Sequence, residues 1–215
     1  MKRKNKFAIG FWITSTLSVV LAIALVGVLA AFTATSSSGF RITYTAGANV
    51  EATITAEYSK YTKNGNDYST TGVTTINRKG SSEAFIKFDS DTDLDENVTK
   101  EFETINNITI EKDDYILIHY TITNDSDENE LTLSAETKEA VDADGNAIDF
   151  DNVKIEYALT NDASTTWSTT LTDVINNESI ATNTTLDFYV RVSVDVKTKA
   201  AEFNGYFNFT LDAVD

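Results

Sequence analysis

With 215 residues, no cysteine and no proline, the chain excludes disulfides, thiolate metal centres and cis-proline turns. A hydrophobic share of 41% with 11% aromatics excludes a disordered acidic tail, and the length suits one domain with a real core. All 33 acidic residues lie at or beyond Glu51, and only 13 basic residues accompany them beyond the leader; such a surface repels nucleic acid and anionic lipid, so no nucleic-acid partner is expected.

The chain opens on a basic tip, Lys2, Arg3, Lys4 and Lys6, followed by a charge-free apolar run over residues 7–32. A positive start, an apolar core and small residues before a hydroxyl-rich stretch match a secretory signal peptide, with cleavage expected after Ala30 or Ala31. The second reading of residues 1–31, behind the cleaved leader, is a retained membrane anchor, because a span needs about 20 apolar residues. A pilin-type leader is a third reading, although the acidic residue expected near the start of such a helix is missing. Each version places the body outside the cytoplasm, with membrane contact confined to residues 7–32 if the leader stays. Residues 32–39 form a polar hinge, and residues 40–215 are read as one β-sandwich domain.

Past the hinge, Phe40, Ile42 and Tyr44 alternate with Arg41, Thr43 and Thr45, the period of a half-buried strand. After an Ala46-Gly-Ala-Asn49 turn, alternation resumes at Val50, Ala52, Ile54, Ala56 and Tyr58, which predicts a hairpin partner for the first strand. Asn64-Gly65 is a strong turn signal, and a weak strand is expected near residues 68–76. Residues 83–88 predict another strand, and residues 98–110 return to strand character after an acidic loop. The clearest strand spans residues 114–123. Ile116, Ile118, Tyr120 and Ile122 line one face and Tyr115, Leu117, His119 and Thr121 the other, so a central position is expected. Residues 131–135, 153–159, 186–196 and 203–211 read as further strands. Residues 164–180, with Trp167, suggest a short strand or helical turn. No helical period exceeds two turns beyond residue 46, so the fold class is all-β: a two-sheet antiparallel sandwich, jelly-roll or Ig-like, behind a hydrophobic N-terminal signal or anchor helix.

Chemistry is sparse. The single histidine, His119, sits mid-strand among apolar and aromatic neighbours, which reads as a structural residue and leaves nucleophilic triads without a base. One histidine and no cysteine suit zinc poorly. Asp89, Asp91, Asp93 and Asp95 alternate like the first ligands of a calcium loop, but Leu94 stands where the turn glycine belongs and Lys100 where the bidentate glutamate belongs. The expectation is a solvated loop, with weak calcium binding as the alternative and no other cofactor. Tyr58, Tyr61, Tyr68 and Trp167 could line a sugar platform, though core packing explains them more economically.

Two segments carry a resemblance. Ile108-Thr-Ile-Glu-Lys-Asp-Asp-Tyr-Ile-Leu-Ile-His-Tyr-Thr-Ile-Thr-Asn124, a charged turn before a strand ending in an Asn turn, resembles TasA and camelysin-like proteins. Ala201-Glu-Phe-Asn-Gly-Tyr-Phe-Asn-Phe-Thr-Leu-Asp-Ala213 is similar to their final strand, and Val28-Leu-Ala-Ala-Phe-Thr33 to their leader junction, processed by a dedicated signal peptidase of the SipW type. The family's frequent Pro-Gly-Asp turn is Glu111-Lys-Asp-Asp114 here. The resemblance implies a sandwich secreted by Gram-positive bacteria and built into matrix fibres, in which a freed N-terminal strand can enter a neighbour's sheet. On that reading the assembly strand comprises Phe32, Phe40, Ile42 and Tyr44, the partner is a second copy of the chain, and the protein is no enzyme. The alternatives are a membrane-tethered adhesin or glycan- or protein-binding module and, last, a camelysin-type metalloprotease.

Overall fold

The computed structural model describes residues 33–35, 40–47, 49–89, 98–105, 109–111, 113–138, 153–194 and 205–214. Strands β1 (Thr33–Thr35) and β2 (Phe40–Ala46) precede the long β3 (Ala52–Asn64). Three short strands, β4 (Asp67–Thr70), β5 (Thr74–Thr75) and β6 (Phe85–Phe88), then lie in succession along one edge of β3. β7 (Val98–Glu101), β8 (Thr109–Glu111), β9 (Tyr115–Asn124) and β10 (Glu130–Lys138) follow. After β11 (Val153–Ala158) come a 3-10 turn at Leu171–Asp173, β12 (Asn176–Ile180), β13 (Thr185–Val194) and β14 (Gly205–Val214).

Two sheets enclose one core, so the all-β sandwich expected from the alternation is the fold observed. The larger sheet runs β11-β13-β9-β3, with β4, β5 and β6 on the far side of β3; the smaller runs β12-β10-β14-β2-β7. β1 and β8 form a separate two-stranded ladder. The pairings among these strands are antiparallel, save that β2 runs parallel to β14.

The period of two decides what enters the core. From the larger sheet come Ile54, Ile116, Ile118, Tyr120, Ile122, Phe188, Val190 and Val192, and from the smaller Tyr44, Leu131, Leu133, Phe209 and Leu211, all buried. Each such side chain contributes about 1.5–3 kcal/mol on leaving water. β9 is central, between β13 and β3, as its two apolar faces predict.

Three expectations change. β2 and β3 are not a hairpin: they belong to opposite sheets, and Asn49 at φ 61 with buried Val50 carries the chain across the sandwich end. Both strands bury alternate residues in the same core, and alternation cannot distinguish a sheet neighbour from a facing strand. The stretch 98–110 divides into β7 in the smaller sheet and β8 beside β1, around Phe102 and Ile105, which are buried outside any strand. Residues 164–180 hold both suggested features, the 3-10 turn and β12. Gly65, at φ 64, turns β3 into β4 with Asn64 facing Asp67.

The leader, Phe32, hinge residues 36–39 and acidic residues 90–97 lie outside the described residues. No helix among the described residues is long and apolar enough to cross a membrane.

Candidate assembly site

The N-terminal arm supplies two strands to two different places. β1 lies antiparallel to β8, with Thr33 opposite Glu111 and Thr35 opposite Thr109. This is the hinge stretch that the sequence marks for strand addition, and here it pairs with an edge of its own chain. β2 lies inside the smaller sheet, parallel to β14 on one side and antiparallel to β7 on the other. Phe40 is opposite Gly205 and Ile42 opposite Phe207 in that ladder.

Tyr44 anchors the strand. Its ring is fully buried, stacked on Phe209 at 4.9 Å and edge-on to Phe102 at 6.1 Å. Phe209 in turn meets Tyr120 and Phe188 of the opposite sheet. Neither the Tyr44 nor the Tyr120 hydroxyl has a hydrogen-bond partner among the described residues. Burial pushes both phenols well above the ordinary tyrosine range, and Tyr44 is raised further by Tyr120. On the outer side Thr45 hydrogen-bonds Thr99 of β7 at 3.1 Å. Gly47 then closes the strand by donating its N–H to the Leu211 carbonyl at 2.9 Å, so tightly that a Cβ there would come within 2.9 Å of Asp212 Oδ1.

The arrangement is a slot with two ladder edges, β14 and β7, in which Phe209 stacks beside Tyr44 and Phe102 meets it edge-on. The parallel partner is the chain's last strand. The slot is thus closed by the first strand of the body, which is continuous through Gly47 with β3 and is preceded by the three-residue β1 on the β8 edge.

The remaining site residues fall elsewhere. Asp89 directly follows β6, where Lys87 Nζ reaches its Oδ2 at 3.2 Å, and lines a cavity of about 470 Å³ with Glu51, Thr53 and Asp125. Asp91, Asp93 and Asp95 lie outside the described residues, and among the described residues no three acidic or histidine groups are arranged to hold a metal ion. Ala30 and Ala31 also lie outside them.

His119 faces outward on the larger sheet. Its Nε2 is 2.8 Å from Asp187 Oδ1 and its Nδ1 3.3 Å from Glu57 Oε1, and its ring stacks on Tyr189 at 4.4 Å. Glu57 and Tyr189 are its cross-strand neighbours on β3 and β13, so the cluster follows directly from register.

Of the four aromatics singled out in the sequence, Tyr58 packs on the core, whereas Tyr61, Tyr68 and Trp167 belong to the outer face. Core packing therefore accounts for one of them. Trp167 covers the Arg191 guanidinium at 4.4 Å, Arg191 donates through Nε and Nη2 to Glu156, and Tyr115 stacks on Tyr61 at 4.5 Å. Burial opposes ionisation of Glu156, but hydrogen bonds from Lys154 and Arg191 and their charges hold its carboxyl below the usual range. Tyr115, Tyr189 and Arg191 were not legible as a group, because only strand order brings them to one face.

No known protein family matches the chain, and no curated protein matches it. Among solved structures it is similar to a point variant of the major pilin from Streptococcus pyogenes, with 10% identity over 83% of this chain and 49% of the pilin chain, at a TM-score of 0.23. The match spans about half the pilin's length, and so slight a likeness assigns neither fold nor function.

Proposed function

We propose that this chain is a secreted structural protein, a β-sandwich subunit that assembles into extracellular or biofilm-matrix fibres by strand exchange. Its leader would be removed by a dedicated signal peptidase, and its place would be outside the cell or on the surface of a Gram-positive-type bacterium. One observation carries the reading: the first strand of the body, β2, fills an interior slot between β14 and β7 with Tyr44 wholly buried. A strand near the N-terminal end of the domain that fills an interior slot is an element two copies can exchange at low cost, since the exchanged strand makes the same ladder and core contacts in either subunit. Gly47 and Asn49 provide the hinge, and β1 would carry the arm onto the β8 edge of the neighbour. Self-assembly is the partner relationship this implies; the reading requires no catalysis and no cofactor.

The test compares the chain starting at Phe32 with one starting at Ala52. The longer chain is expected to form filaments visible by electron microscopy. The shorter one should stay unassembled and bind a synthetic peptide covering residues 32–46. Equal assembly of both chains would overturn the proposal.

A second reading, a surface-held binding module, draws on the exposed aromatic face around Tyr68 and Trp167. An intact leader in the membrane fraction together with a monomeric body would favour it.

A further inference from the structure

Three tyrosines of the larger sheet meet on its outer face. Tyr61 on β3 and Tyr115 on β9 are directly opposite in the antiparallel ladder, with ring centroids 4.5 Å apart and planes within 7° of parallel. Tyr68 on β4 lies edge-on to Tyr115 at 5.1 Å and is 45% exposed. Arg191 closes the far side of Tyr115 at 5.9 Å. Tyr61 and Tyr115 are each partly exposed, so a small oxidant or an electron acceptor can reach the group, while the ladder prevents the two rings from separating.

We propose that Tyr61 and Tyr115 are a site of oxidative coupling, joined through their ortho carbons into an intrachain dityrosine when a one-electron oxidant such as a haem peroxidase with hydrogen peroxide is present. Each phenol loses one electron and its hydroxyl proton to give a phenoxyl radical. The two radicals share their unpaired electrons in one new carbon–carbon bond, and loss of the two ortho hydrogens as protons restores both aromatic rings and both hydroxyls. The pair therefore loses two electrons and two protons overall, and one peroxide takes them up to become two waters.

Proximity is the reason this pair reacts first. Phenoxyl radicals in solution must find one another by diffusion, whereas here the partner ring is held in contact and the encounter is already made. In a chain without cysteine, this coupling would tie β3 to β9 covalently across the sequence that separates them, as a disulfide does elsewhere. Tyr189 also lies on this face, but its stacking partner is His119, and among the described residues no tyrosine ring is stacked on it.

Treating the full folded chain with peroxidase and peroxide, then digesting and sequencing by mass spectrometry, tests this. The expected product is a linked pair of peptides containing Tyr61 and Tyr115, lighter by two hydrogens, with dityrosine fluorescence. It should form at least about tenfold faster in the folded chain than in the same chain in urea. Tyr61→Phe and Tyr115→Phe, which keep the stacked rings and hence the fold, should each abolish that link, and Tyr189→Phe should leave it unchanged. A link that forms equally fast in urea would overturn the proposal. So would a folded chain whose coupled tyrosines are other than this pair, or one that gives only interchain products.

Discussion

β9 and β2 are both interior strands with a neighbour on either side, and each buries a tyrosine completely, Tyr120 in one and Tyr44 in the other. They differ in how they are held. β9 is ten residues long, lies antiparallel to β13 and β3 over almost its whole length, and has chain continuing from both ends within the domain. Its end is locked by Asn124, which donates through Nδ2 to the carbonyls of Asn129 and Ile180, each at 2.9 Å, and accepts the Ser126 N–H at 3.0 Å. β2 is seven residues long, has one parallel neighbour, and is held upstream only by the three-residue ladder of β1 with β8. Equal burial thus coexists with unequal tethering. Burial measures what a strand contributes to the core, whereas tethering decides whether another copy of that strand can contribute it instead.

The largest effect should come from removing the two rings. Tyr120→Ala and Tyr44→Ala are each expected to cost about 3–5 kcal/mol in denaturant unfolding, as large aromatic truncations in cores do. Their consequences for assembly should separate. A synthetic peptide covering residues 32–46 should restore a chain lacking its arm and lose this ability when it carries Tyr44→Ala. The same peptide should leave a Tyr120→Ala chain as unstable as before. Restoration by the substituted peptide would show that Tyr44 sets no register.

Next in size is the lock on β9. Asn124→Ala leaves one buried and one half-buried carbonyl and one buried N–H without this partner, a loss of about 3 kcal/mol. Faster hydrogen exchange at the β9–β10 turn should accompany it, with β2 unaffected. If exchange quickened first at β2, the contrast between the strands would fail.

The smallest effect concerns the two hydroxyls. Tyr44→Phe and Tyr120→Phe remove oxygens that have no hydrogen-bond partner among the described residues, so stability near neutral pH should change by less than about 1 kcal/mol. Both phenols are raised in the folded chain, so their contribution is complete below the unfolded value of about 10 and is lost as pH rises above it, where the unfolded chain releases the proton and the folded one does not. Each substitution should therefore flatten the alkaline fall in unfolding midpoint. An unchanged alkaline slope would mean the hydroxyls ionise in place.

The tyrosine group shows the same dependence on arrangement. Tyr61 and Tyr68 stand seven residues apart on either side of the Gly65 turn, and that turn is written in the sequence as Asn64-Gly65. Tyr115, far along the chain, joins them only because β9 takes the other edge of β3. The calcium reading stands apart from this comparison. Asp89 meets Lys87 Nζ, and its alternating companions Asp91, Asp93 and Asp95 lie outside the described residues.

What the sequence determined by itself is the local physics: the period of two that makes strands, the Asn-Gly turn after β3, the doubly apolar pattern that makes β9 central, and an acidic body behind a basic apolar leader. These depend on residues within a few positions of one another, so they survive without knowledge of the fold. Which sheet a strand joins, whether its neighbour is parallel, and which outward side chains become partners depend on contacts between residues far apart in the chain. The pairing of the first strand with the last is the clearest case. Phe40, Ile42 and Tyr44 declare a strand, but only the closed core, with Phe209 beside Tyr44 and Phe102 edge-on to it, makes that strand an interior one.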